Sequence, residues 1–419
     1  MITDAARTAL AQGNRQSVAG STGGSRETLA PFVLSFVAGW LVSNVGAVAS
    51  PMADAYGVSL AFVGALTAAA VATHAVMQIP SGRLVDRYGA RSVAIAGLSI
   101  LVAADGVGAL AAEPALAVVA RLAVGVGTAL SFVAGSDLLR ARRARVLAQG
   151  MYGGCAMAAA GLALALLPQV ARDITWRVSW LSAAGLAAFG LVVVALSAAR
   201  GRVGPPRLPA PAHPASVVRD ARLQRIGLVY AASYGSSVLV GTWVVTFLER
   251  GPHYSAAEAG AAGALTLFGG IVSRPFGGWI AERRPRLARP AIAAGLLAGT
   301  AGTAVLALGP PLALGVVAAA TVGLGAGMPF GPVFSGAQHL RPDRPAVAVG
   351  FVNFLANVVI VVGVPLFGLT FSLPGDGRLG LIVVACTWAA ALSLLRPAAV
   401  FAPTPAPGGR AVGDVGAHR

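Results

Sequence analysis

The chain has 419 residues, 56% hydrophobic and 11% charged, a balance that excludes an ordinary soluble globular protein. The formal net charge of +16 is carried by arginine alone, lysine being absent, and the arginines fall in short breaks between apolar runs. That placement describes membrane topology and excludes a nucleic-acid-binding face.

Runs of about twenty apolar residues suffice to cross ~30 Å of hydrocarbon, and they recur along nearly the whole chain. In order they fall near residues 30–50, 60–81, 92–112, 115–136, 148–168 and 177–198, then 224–248, 258–281, 288–308, 311–333, 345–369 and 379–396. The reading is an all-α polytopic membrane protein with twelve transmembrane helices. Residues 1–29 form a polar N-terminal tail, Gly/Ser-rich and without the apolar core of a cleavable leader, so the first span is expected to be retained. Residues 200–222 hold Pro205, Pro206, Pro209, Pro211 and Pro214, too proline-rich to continue a helix, and read as a linker between a half at 30–199 and a half at 223–397. Residues 398–419 make a C-terminal tail. Cys155 and Cys386 both lie inside spans and read as small apolar fillers.

With the N-terminus placed in the cytoplasm, the tails, the linker and the even-to-odd loops carry 25 of the arginines and the opposite side four, with Arg121 and Arg274 inside spans. The positive-inside rule then puts both termini in the cytoplasm and the protein in the inner membrane of a bacterium.

Between the second and third spans stands a charged island, Gly82-Arg83-Leu84-Val85-Asp86-Arg87-Tyr88-Gly89-Ala90-Arg91, expected as a membrane hairpin turn. Gly82 permits close approach of two helix ends, Gly89 permits a turn, and Asp86, Arg87 and Arg91 place charge where helix dipoles and loops are paired. A weaker copy, Gly278-Trp279-Ile280-Ala281-Glu282-Arg283, follows the second helix of the other half. The spacing Gly-x-x-x-Asp-Arg-x-Gly-x-Arg resembles the signature of major facilitator superfamily transporters. That resemblance implies two pseudo-symmetric six-helix halves, alternating access around a midplane site, and a motif that latches the cytoplasmic ends of the halves together.

Arg121 opens Arg-x-x-x-Gly-x-Gly with Gly125 and Gly127, which resembles the superfamily's fourth-helix motif, implied to influence proton transfer in proton-coupled members. A buried arginine expects a partner, and Asp105 in the third span sits at similar depth across the hairpin, so an Asp105–Arg121 ion pair is expected. Arg274 stands one turn before the second motif, in Arg274-Pro275-Phe276-Gly277-Gly278, and this resembles the nitrate/nitrite porter branch, whose eighth-helix arginine binds the anion. Gln78 occupies the position of that branch's second-helix arginine. A guanidinium facing a cavity binds a planar or carboxylate anion through two hydrogen bonds. The alternative for Arg274 is a structural pair, with Glu282 as the partner.

Further polar residues come in i, i+4 pairs on one helix face: His74 with Gln78, Tyr230 with Tyr234, and Asn353 with Asn357. The tyrosines are candidates for the cavity wall, the asparagines for interhelical hydrogen bonding, and His74 for packing or a proton role. The Gly323-to-Gly327 run lacks a preceding strand and any Gly-Lys-Ser/Thr, so it reads as helix packing. No phosphate loop, metal-ligand cluster or nucleophile constellation stands out. The expectation is therefore a non-enzymatic secondary transporter without cofactor or metal. It would act as a monomer in the lipid bilayer, move a small molecule, with a small anion favoured, and couple to H+ or to solute exchange. The alternative is proton-driven efflux of apolar compounds.

Overall fold

The computed structural model describes residues 29–111, 113–141, 145–197 and 214–395. Most of the N-terminal tail, the first part of the linker and the C-terminal tail lie outside the described residues, as do Arg142 and Arg143 of the arginine tally. Among the described residues, eleven helices are long and apolar enough to cross a membrane. These are α1 (Leu29–Ala47), α2 (Leu60–Tyr88), α3 (Ala90–Leu110), α4 (Pro114–Ala141), α5 (Val146–Asp173), α6 (Val178–Leu196) and α7 (Ala221–Arg250), then α9 (Pro285–Ala307), α10 (Leu312–Leu340), α11 (Pro345–Ser372) and α12 (Arg378–Leu395). A twelfth, α8 (Ala256–Arg283), bears Glu258, Arg274, Glu282 and Arg283 and completes the bundle.

Local chemistry explains where the helices start. Ser59 accepts from Phe62 N ahead of α2, and Asp220 accepts from Arg222 N and Leu223 N ahead of α7. Ser255 and Glu258 form a capping box ahead of α8. Pro114, Pro285 and Pro345 occupy first helical positions, where a missing N–H costs nothing. The charged island departs from the hairpin turn expected of it. Gly82 to Tyr88 are the last turns of α2, and only Gly89, at φ 85°, breaks the helix before α3. Charge ends the apolar run there but does not end the helix: Gly82 stays helical, packed against Ala346 and Val347, and the residues from Arg83 to Tyr88 do not favour the positive-φ backbone that Gly89 takes up.

Three apolar cores result. The first packs α1 to α6 and centres on residues such as Leu34, Leu98, Val133 and Trp180. The second packs the later helices around Leu296, Val322, Leu381 and Trp388. The third joins the two groups through Phe132, Tyr152, Tyr230, Phe330, Phe334 and Val347. Outward-facing Val76, Val119, Phe189, Val272, Leu297, Val317, Leu366 and Val383 are exposed, the surface a bundle presents to lipid rather than water. The two halves meet chiefly where α2 packs on α11 and α5 packs on α8.

Candidate functional site

The site is built from the end of the bundle that carries the two motifs. A Cβ added at Gly82 would lie 2.6 Å from Ala346 O, and one at Gly278 would lie 2.7 Å from Val146 O, so each glycine brings a helix of one half against the first turn of a helix in the other. One turn further on, Asp86 accepts hydrogen bonds from Ala346 N and Val347 N at 3.1 Å each. Glu282 accepts from Leu147 N at 3.3 Å and pairs with Arg145 Nη1 at 3.3 Å. Each carboxylate thus meets orphan N–H groups and the positive dipole end of a helix across the divide. The partner of Glu282 is Arg145, and the alternative Arg274–Glu282 pair does not form, because Glu282 points across the bundle to the α5 start. Among the other motif residues, Arg91 donates to Val194 O and Ala195 O at the end of α6. Arg87 lies 5.0 Å from the Tyr88 ring centre, and Arg283 is exposed. Outside the spans, Arg341 donates to Asp343 and to Ser216 O, and its hydrogen bond holds the Asp343 carboxyl below the usual carboxylate range.

Behind this latch lies an aromatic plug. Phe330 and Phe334 stack 4.2 Å apart, Tyr230 meets both edge-on, and Phe132 bridges Tyr152 and Phe334. A buried polar bridge accompanies it: Gln149 of α5 donates to Gln338 Oε1 of α10 at 3.3 Å, and both side chains bond to Ser136 of α4.

On the far side of the plug from the motifs opens a central cavity of about 490 Å³. Its polar lining is Ser43, His74, Arg121, Thr128, Tyr230, Tyr234, Thr242, Arg274, Asn353 and Asn357, and the rest is apolar, including Val42, Val71, Met157, Leu164, Leu267, Phe268 and Ile360. Arg274 is 4% exposed. Its guanidinium carbon lies 4.7 Å from the Tyr234 ring centre and 4.6 Å from that of Phe330. Its Nη1 donates to Gly153 O at 3.0 Å, and no carboxylate pairs with it among the described residues. Two aromatic faces and one carbonyl hold the group flat, and its remaining N–H groups have no protein acceptor there. Tyr230 and Tyr234 stack 5.4 Å apart, beside a π-helical turn at Ala231–Gly235 that resets the register of α7.

Gln78 is fully buried and outside the lining. Its Nε2 donates to His74 Nε2 at 2.6 Å, and His74 Nδ1 in turn donates to Thr128 Oγ1 at 3.0 Å. Asn357 Nδ2 bonds within its own helix, to Asn353 O, so the asparagines line the cavity and make no interhelical hydrogen bond among the described residues.

The expected Asp105–Arg121 ion pair is also absent. Arg121 Nε donates to Leu66 O, Nη1 to Asn44 Oδ1 and Nη2 to Leu41 O, while both Asp105 carboxyl oxygens lack a hydrogen-bond partner. The hairpin does bring the two to similar depth. The Arg121 side chain, however, leaves α4 toward α1 and α2, where helix carbonyls take its protons. Depth was readable from spacing; rotation about the helix axis was not.

Several contributors escaped the sequence reading. Arg145 had a usable signal, since Arg145 and Arg344 stand at matching N-cap positions of α5 and α11. Apart from Tyr230, the plug aromatics Phe132, Tyr152, Phe330 and Phe334 and the Gln149–Ser136–Gln338 bridge had none, because each contact forms only when the halves are packed.

Two groups of apolar helices, closed at one end by reciprocal carboxylate-to-helix contacts around a central cavity, have the build of an alternating-access membrane transporter. The family model described as Major Facilitator Superfamily matches residues 32–364, and the chain belongs to that family. Among curated proteins it is similar to the probable nitrate/nitrite transporter NarK2 of Mycobacterium tuberculosis, 27% identical over 382 residues, covering 85% of this chain and 93% of that protein. Its fold is that of the proton:xylose symporter XylE (TM-score 0.68, 13% identity, covering 90% of this chain and 95% of that one). The human organic anion transporter MFSD10 shares it as well (TM-score 0.64, 16% identity, 88% and 98%), as does the E. coli fucose:proton symporter FucP (TM-score 0.65, 15% identity, 88% and 98%). The chain is a multi-pass membrane transporter of this family and not an enzyme.

Proposed function

We propose that the protein is a secondary active transporter that moves a small anion across the cytoplasmic membrane of a bacterium by alternating access. The observation that carries this is Arg274, a buried guanidinium held flat against the cavity, with N–H groups that lack protein acceptors and a charge that lacks a protein carboxylate among the described residues. Such a cation is costly unless something neutralises it, and an anionic solute entering the cavity does so. The similarity to a nitrate/nitrite transporter supports the anion class. The arginine asymmetry supports a cytoplasmic motif end, and with that orientation the described state is shut toward the cytoplasm with its cavity on the outer side.

In this mechanism the anion binds at Arg274, and the two halves rock about the site. Asp86 and Glu282 release the starts of α11 and α5, and the aromatic plug parts toward the cytoplasm. The energy comes from H+ or from exchange of the solute itself, and the working unit is a monomer. Efflux of apolar compounds is the second reading, supported by the apolar walls beyond Arg274.

The test is uptake into proteoliposomes holding the full chain, with nitrate, nitrite and organic anions beside organic cations. Anion uptake that is lost in Arg274→Gln supports the proposal. Transport of a cation left intact by the same substitution sinks it and favours efflux.

A further inference from the structure

The shape and chemistry of the cavity say more about the anion than its charge. Nitrate is an ion of only four atoms, whereas the cavity holds about 490 Å³, the size of pockets that enclose a whole organic ligand. Arg274 is the freer of the cavity's two guanidinium groups. Arg121, fully buried, commits three of its five N–H groups, to Leu66 O, Asn44 Oδ1 and Leu41 O, whereas Arg274 commits one, to Gly153 O. The residue standing opposite Arg274 in the internal repeat is a neutral amide. Gln78 and Arg274 each precede their motif glycine by one turn, and Gly350 packs on Gln78 O as Gly150 packs on Arg274 O. Part of the wall is apolar, formed by Val71, Met157, Ala160, Leu267 and Phe268.

We infer that the substrate is an organic monocarboxylate with an apolar body, its carboxylate on Arg274 between Tyr234 and Phe330 and its hydrocarbon part against α2, α5 and α8. This rests on the anion reading above and narrows it. A carboxylate matches the planar guanidinium edge with two hydrogen bonds. The wall of Val71, Met157, Ala160, Leu267 and Phe268, unlike the wall that carries Thr128, Asn353 and Asn357, gives no side-chain donor or acceptor, so a second charged group directed at it would be desolvated and unpaired. A small inorganic anion would leave the apolar part of the cavity unfilled.

The experiment is calorimetric titration of the purified full chain in detergent with nitrate, acetate, benzoate, succinate and benzamide as probes. Benzoate is expected to bind more tightly than acetate, nitrate and succinate by a factor of about ten or more, the scale given by burying several ring carbons. Benzamide, which has the same body and no charge, is expected to lose a similar factor. In Ala160→Phe, which fills the apolar wall, benzoate affinity should fall about tenfold while nitrate affinity stays within about twofold. The probe series on the unaltered protein decides even if that variant fails to fold. Nitrate binding equal to or tighter than benzoate, with benzamide weak, overturns this inference and leaves the anion reading standing. Benzamide binding as tightly as benzoate overturns both. Absence of benzoate binding overturns the inference.

Discussion

The two copies of the internal motif make the same kind of contact between the halves and differ in chemistry one turn earlier. At the latch they are near mirror images: Gly82 and Gly278 bring helices from opposite halves into contact, and Asp86 and Glu282 each hold the first turn of a helix across the divide. One turn earlier they part. Gln78 is buried in a neutral chain with His74 and Thr128, while Arg274 faces the cavity between two aromatic rings. A gate that closes by two equivalent contacts requires symmetry, whereas a site that binds one solute in one orientation does not. Where the two repeats agree they hold the halves together, and where they disagree the cavity gains a guanidinium in place of a buried amide.

Making the halves alike at that position should have the largest effect. Removing one partner of a buried, hydrogen-bonded charge pair costs about 2–5 kcal/mol, so Arg274→Gln is expected to lower anion uptake by roughly 30-fold or more. Arg274→Lys should recover only a small part of it, because an ammonium cannot present the planar two-donor edge or lie flat between Tyr234 and Phe330.

Next in size is loss of the close approach at the latch. Gly82→Val and Gly278→Val each place atoms where backbone of the other half already lies, an overpacking cost of about 1–3 kcal/mol against the closed state. Spin labels on the motif ends of α2 and α11 should then show the short distance giving way to a longer one in either variant. A response to only one of them would break the symmetry argument.

The carboxylates should differ more subtly. Asp86→Asn weakens two backbone bonds to a helix start and should shift the closed-to-open ratio by about 1 kcal/mol. Glu282→Gln should shift it less, since Glu282 takes one backbone N–H and an arginine whose side chain is 72% exposed. Arg145→Ala should be smallest, within about 0.5 kcal/mol, as expected for an exposed ion pair. The same label distances, read for all three variants, would rank them.

Most of the fold could be read from the sequence because it rests on local signals. Span length and two copies of one motif are each visible without tertiary structure. The site was legible where a single residue carried the anomaly: a lone arginine inside a span draws attention whatever surrounds it, and Arg274 and Arg121 both line the cavity. What stayed hidden depends on rotation and on contacts between halves. Spacing could not say that Arg121 turns toward α1 and α2 and leaves Asp105 unpartnered, or that Glu282 reaches Arg145 instead of Arg274. Nor does any local pattern announce the π-helical turn at Ala231–Gly235.

The central claim is that Arg274 is the cavity's anion anchor. It is tested most directly by measuring uptake of organic anions and organic cations into proteoliposomes holding the unaltered chain and Arg274→Gln side by side. The account predicts uptake of an anion that the substitution abolishes, with cations untransported by either. Cation uptake by the unaltered chain that persists undiminished in Arg274→Gln would contradict it.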